Sequence, residues 1–112
     1  IEYAVEHLGS NLILVMGHSS CGAVKTAFET AVGGDAGSPY ISALVADIQP
    51  RIAARMKGPA SENFVVEGWD NARGVTKALL ERSQIIREAA KSGSLRVETA
   101  LYHLKSGQVE WK

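Results

Sequence analysis

"NLILVMGHSSCG", residues 11–22, sets an unbroken apolar run against a short loop rich in reactive side chains. Leu12 to Met16 contain no polar residue, and turn residues bound the run on both sides. Such runs suit a strand buried on both faces, as in a parallel sheet. The loop then places His18, Ser19, Ser20 and Cys21 between Gly17 and Gly22. Upstream, "IEYAVEHLG" carries Ile1, Ala4, Val5 and Leu8 at helical spacing, with Gly9 as a helix-ending residue. Downstream, "AVKTAFETAV" predicts a helix over 23–32 that the loop "GGDAGSP" ends. Helix, strand, glycine-bounded loop and helix in that order indicate an α/β fold.

Further along, Ile41, Leu44, Val45 and Ile48 share one helical face, and Pro50 is expected to kink or end that helix, with "RIAARMK" able to resume it. Ser61 is a candidate cap. The stretch from Phe64 to Gly93 reads as mostly helical, with Phe64, Val65, Ala72, Val75 and Leu79 near one stripe. Its apolar phase shifts at Ile85 and Ile86, which predicts a break near Ser83. "LRVETALYHL" and "QVEW" read as strands joined at "KSG" in a hairpin. One central strand and one terminal hairpin fall short of the roughly four to six strands usual in such sheets. A partner segment or subunit is therefore implied. The first helix has no Ser, Thr, Asp or Asn before it, so the start is expected to be a cut rather than a natural beginning.

With 12 basic and 12 acidic residues the formal charge is zero, which argues against a nucleic-acid partner. No apolar run approaches the roughly 18 residues of a membrane span. One cysteine cannot form an internal disulfide, which points to a reducing, cytoplasmic setting. The length suits one domain over residues 1–112.

Three readings of the loop stand side by side. The glycines can simply permit a tight strand-to-helix turn, with Ser19 or Ser20 capping the helix and Cys21 packing as a small apolar residue. A hydrolase elbow, G-x-S-x-G, would need a glycine where Cys21 stands, and a distal histidine that only His103 could be. The third is zinc. Thiolate and imidazole are favoured ligands, and the C-terminal end of a parallel strand is where open α/β sheets build their sites. Elsewhere, His7 is expected on the solvated side of the first helix, His103 to be structural, Asp70 and Asn71 to pack and cap, and residues 33–39 to form a surface loop.

"IEYAVEHLGSNLILVMGHSSCGAVKTA" resembles the β-class carbonic anhydrases, in which such a helix leads to a buried strand and a G-H-x-x-C-G loop. "NARGVTKALLERSQIIREAAKSGSLRVETALYHLKSGQVEW" is similar to the family's closing section. The resemblance implies a mostly parallel sheet flanked by helices, incomplete here, with a C-terminal hairpin. It implies zinc as cofactor, His18 and Cys21 as two of three protein ligands, and Gly17 and Gly22 as loop-shaping glycines with no room for a Cβ. It implies carbon dioxide and bicarbonate as substrates, and a homo-oligomer. The family's first cysteine ligand and its Asp–Arg pair belong to a C-x-D-x-R motif that has no counterpart in these residues, so no catalytic residue is assigned. The chain by itself is expected to be inactive, with zinc absent or substoichiometric. The rival expectation is a non-catalytic interaction module that kept the scaffold.

Overall fold

The computed structural model describes all 112 residues. Five α-helices and three strands run in the order α1 (Glu2–His7), β1 (Leu12–His18), α2 (Gly22–Glu29), α3 (Pro39–Ile52), α4 (Val65–Arg82), α5 (Gln84–Ser92), β2 (Arg96–Tyr102) and β3 (Val109–Trp111), with a 3-10 turn at Glu62–Phe64 before α4. The α/β class read from the sequence is what the chain adopts.

The sheet is small and mixed, in the order β1-β2-β3. β1 pairs with β2 in parallel, Leu12 opposite Arg96 through His18 opposite Tyr102, and β2 pairs with β3 antiparallel. β2, not β1, is therefore the central strand. Nor is β1 buried on both faces. Ile13, Val15 and Gly17 are half-buried on the side that α4 covers, while Leu12, Leu14 and Met16 are 53%, 38% and 45% exposed on the other. The apolar run gives both faces their character, but the elements of this chain cover only one.

α4 can lie flat on the sheet because glycines meet where it crosses. A Cβ on Gly17 would sit 3.0 Å from the Gly68 carbonyl oxygen and 3.3 Å from the Ala72 Cβ. The inward face of α4 is accordingly Gly68, Trp69 and Ala72, joined by Glu67, rather than a stripe starting at Phe64. Phe64 lies outside the helix in a left-handed conformation, φ 53°. Thr76 and Thr99 fasten helix to strand through their hydroxyls, 2.7 Å apart.

A second core lies between α2 and α3, where Val24, Ala27, Val45, Ile48 and Ile52 are buried together. α2 stops at Glu29, before the apolar Ala31 and Val32 that suggested a longer helix, and Val32 is 82% exposed. Buried Gln49 from α3 donates to the carbonyls of Ala27 and Thr30, satisfying acceptors that the helix end leaves free. Pro50 does not end α3, which runs on to Ile52. Its ring removes the one bond its own N–H would have donated, and only two residues of α3 follow it. Residues 53–57 form turns and do not resume an α-helix.

The break near Ser83 is real, and Ser83 caps α5 by accepting from the Ile86 N–H at 3.2 Å. Gly9 and Gly93 end α1 and α5 at φ 69° and 81°. Leu8, expected to mark the buried side of α1, is 67% exposed. The hairpin closes where His103 N–H donates to the Gln108 carbonyl at 2.8 Å. No helix is long and apolar enough to cross a membrane.

Candidate metal centre

His18 is the last residue of β1 and Cys21 the residue that caps the start of α2, so both stand on one loop at the C-terminal end of a parallel strand. Both are half-buried, and the thiol is free. His18 Nδ1 lies 2.9 Å from the Ser19 carbonyl oxygen. A carbonyl only accepts, so Nδ1 is the donor, and in the neutral ring Nε2 is then the nitrogen with a lone pair to ligate. This is the arrangement by which a metal-ligating histidine is oriented by its other nitrogen.

The serines between them are spent on the loop itself. Buried Ser19 donates its N–H to the Tyr102 carbonyl at 2.9 Å, and its Oγ accepts from the Leu104 N–H at 3.0 Å. Ser20 is left-handed, φ 54°, and donates its N–H to the Asn63 carbonyl at 2.7 Å. Neither serine caps α2, whose first residues have no side-chain cap, which corrects that expectation. The hydrolase elbow also fails here. Ser19 Oγ is buried and engaged, and the His103 ring is committed to Glu110 at 3.0 Å.

The two loop glycines are not equivalent. Gly17 is hemmed in as described, but a Cβ on Gly22 would meet nothing within 4 Å, and its φ is not left-handed. The expectation that Gly22 shapes the loop by lacking a Cβ is therefore corrected. The residue that takes the left-handed bend is Ser20.

Beside His18 a cleft of about 280 Å³ is lined by Met16, Gly17, Tyr102 and Leu104, a mostly apolar surround. The donor set is half of what zinc needs. Imidazole and thiol suit it, but no three His, Cys, Asp or Glu side chains gather into a group that could hold a metal ion. His18 and Cys21 are of the ligand types that zinc takes, two where a site needs at least three.

A family model described as carbonic anhydrase matches residues 1–109. The chain belongs to the β-class carbonic anhydrases. It is 33% identical to a carbonic anhydrase of Mycolicibacterium smegmatis over 110 residues, 98% of this chain and 53% of that protein. Carbonic anhydrase 2 of Mycobacterium tuberculosis is 32% identical over 96% of this chain and 52% of its own length. The chain thus spans about half the length of the curated relatives it matches. Its fold is similar to that of a β-carbonic anhydrase of Coccomyxa, solved with acetazolamide, at a TM-score of 0.79 and 25% identity over 98% of this chain and 50% of that one. A β-carbonic anhydrase of Sordaria macrospora, described as tetrameric, matches with the same TM-score at 24% identity over 98% of this chain and 56% of that one.

The other candidates of the carbonic anhydrase chain have structural work. His7 is exposed against Tyr3, ring centroids 4.8 Å apart. Asp70 accepts from Arg55 Nε at 2.7 Å, a bond that raises the arginine's affinity for its proton, and Asn71 accepts from Arg51 at 3.3 Å. His103 and Lys112 hold the Glu110 carboxyl below the ordinary glutamate range. Ser61 precedes the 3-10 turn without a side-chain cap there, its Oγ instead accepting from the Val66 N–H in the first turn of α4 at 3.0 Å, and its partner Glu67 was not legible. Glu67 is 1% exposed, and its carboxylate accepts from both the N–H and the hydroxyl of Ser61. Burial pushes its pKa up, but the bonds from Ser61, its own backbone N–H and the Arg55 charge together outweigh it and the carboxyl lies below the usual range. The one sequence signal was a glutamate set among apolar residues in "FVVEGW".

Proposed function

We propose that residues 1–112 form one portion of a carbonic-anhydrase domain that hydrates carbon dioxide reversibly to bicarbonate at zinc, with His18 and Cys21 as two protein ligands. The observation that carries this reading is the His18 ring, whose Nδ1–H is engaged by the Ser19 carbonyl so that Nε2 is free to ligate, three residues from a free thiol in a chain of this family. When bound, zinc supplies the Lewis acidity that makes water a nucleophile near pH 7. His18 and Cys21 would hold the ion, Ser19 would fix the ring that holds it, and the mostly apolar cleft beside His18 would suit a small, uncharged substrate. The third ligand and the Asp–Arg pair that positions the nucleophile would come from a C-x-D-x-R segment outside these residues. A homo-oligomer in a reducing compartment, the cytoplasm, suits a thiolate ligand and the uncovered sheet face.

The test compares the intact gene product, its Cys21→Ser variant and residues 1–112 alone, with zinc per chain read by atomic absorption and hydration by stopped flow. One zinc per intact chain, lost with activity in Cys21→Ser, is the expected result. Residues 1–112 alone should hold less than one zinc and show no hydration above buffer, and a supplied C-x-D-x-R segment should restore both. Zinc and activity unchanged by Cys21→Ser would overturn the assignment. A folded intact protein with neither would leave the non-catalytic scaffold as the function.

A further inference from the structure

Three non-glycine residues of the chain have left-handed backbones, Ser20, Asn63 and Phe64. Such conformations are disfavoured for residues with a Cβ, most of all a bulky one, and persist only where neighbouring structure enforces them. These three touch. The Ser20 N–H donates to the Asn63 carbonyl at 2.7 Å, so one strained segment is the template for the other. Ser20 sits between His18 and Cys21, so its φ sets how the imidazole and the thiol are carried relative to one another.

What enforces Asn63 and Phe64 lies one step deeper. The Phe64 N–H donates to the Ser61 carbonyl at 3.1 Å, closing the 3-10 turn. Ser61 is fixed in turn by three bonds. Its N–H donates to Glu67 Oε1 at 2.9 Å, its hydroxyl donates to the other carboxylate oxygen, and Oγ accepts from the Val66 N–H at 3.0 Å. Phe64 also sets its ring against Phe28 of α2, centroids 5.8 Å apart at 73°, and so braces the helix that Cys21 begins. A buried carboxylate is costly unless fully bonded, and this one uses both oxygens on a single serine.

We propose that Glu67 is a positioning residue for the loop that carries His18 and Cys21, acting through Ser61 and the Asn63 carbonyl to hold Ser20, the residue between them, in its left-handed conformation. This rests on the zinc reading above, but it concerns a carboxylate that would touch neither metal nor substrate. The role is preorganisation. With the brace in place, the loop does not have to be ordered at the moment of binding.

The test uses the intact gene product with Glu67→Leu, Glu67→Gln and Ser61→Ala, each checked by circular dichroism for native helix content. Two readouts are taken: Co(II) affinity with the thiolate-to-cobalt absorption band, and, in the metal-free protein, hydrogen exchange at the Ser20 amide. Glu67→Leu is expected to weaken Co(II) binding by about tenfold or more, the range usual for residues supporting metal ligands, and to speed Ser20 exchange. Glu67→Gln can accept from the Ser61 N–H and donate to its Oγ, so it should remain within about threefold of the parent. A folded Glu67→Leu protein with parental affinity, band and exchange would overturn the proposal, as would a glutamine variant as impaired as leucine. Should Glu67→Leu fail to fold, Ser61→Ala decides: weakened Co(II) binding with faster Ser20 exchange supports the role, and parental values refute it. If the parent binds no Co(II) through Cys21, the zinc reading fails by itself and Ser20 exchange still judges the brace.

Discussion

Gly17 and Gly22 look alike in the loop motif, yet they answer to different constraints. At Gly17 an added Cβ meets the Gly68 carbonyl at 3.0 Å, and α4 would have to lift from β1. Gly17→Ala should therefore cost about 1–3 kcal/mol, the range of overpacked cores. Gly22 is the first residue of α2 with open space beside it. Gly22→Ala should be neutral or stabilise by up to about 1 kcal/mol, since alanine restricts the unfolded chain. Urea unfolding of the two variants separates these outcomes, and equal losses would refute the geometry. The candidate site was thus legible as far as His18 and Cys21, which residue chemistry marks. The backbone's close approach to Gly17 and the bend at Ser20 were not, because each depends on the distant segment 63–68, and the buried Glu67 was not, because its burial is tertiary although its partner Ser61 lies nearby in the chain. Glu67 also fixes a sign. A carboxyl held below its unfolded pKa, near 4.3, contributes stability that is present above that value and lost as pH falls through the folded one. Stability should decline below about pH 4, and Glu67→Gln should flatten that decline. Half-buried Glu110 adds in the same direction through His103 and Lys112. An acid titration of the melting temperature as steep in Glu67→Gln as in the parent would show that the carboxylate is not the group responsible.

Elements were readable where local signals and tertiary demands agree. The phase shift at Ile85 and Ile86 placed the α4–α5 break, and the Ser83 side chain makes it by capping α5. Ser83→Ala should lose about 1 kcal/mol, the usual worth of such a cap, and amide exchange should rise first in the opening turn of α5. Exchange unchanged there would mean that packing alone sets the break. Where tertiary contacts decide, periodicity misled. α2 ends at Glu29 although apolar residues continue, because Gln49 takes up the Ala27 and Thr30 carbonyls and turns the chain away. β1 misled more deeply. Five consecutive apolar residues predict cover on both faces, and the sequence states that need correctly. Which elements meet it is a property of the assembly, and within this chain only α4 does.

At the scale of the whole molecule, that unmet need becomes a measurable property. Only 16 of the 112 residues are buried, and the main buried cluster sits between α2 and α3 rather than across the sheet. Opposite α4, the sheet presents Leu12, Leu14 and Met16 together with Val109 and Trp111, all at least 38% exposed, and the outer edge of β1 has no paired strand. Apolar patches of this kind and open strand edges both favour association. Residues 1–112 expressed alone should therefore self-associate or form a loose globule that binds a hydrophobic dye, and should melt without a sharp cooperative transition. Replacing Leu14 and Met16 with lysine removes the apolar centre of the patch while leaving the α4 side of the sheet untouched. Association of the isolated segment should fall, because the uncovered face drives it. On the proposed reading the rest of the domain or a second copy covers this face in the intact protein, so there the same pair should destabilise the fold. Sedimentation velocity reads the first effect and thermal melting the second. A parent segment that sediments as a monomer and melts sharply would show that α4 and the hairpin are cover enough. The double variant melting like the parent in the intact protein would show that nothing packs on this face.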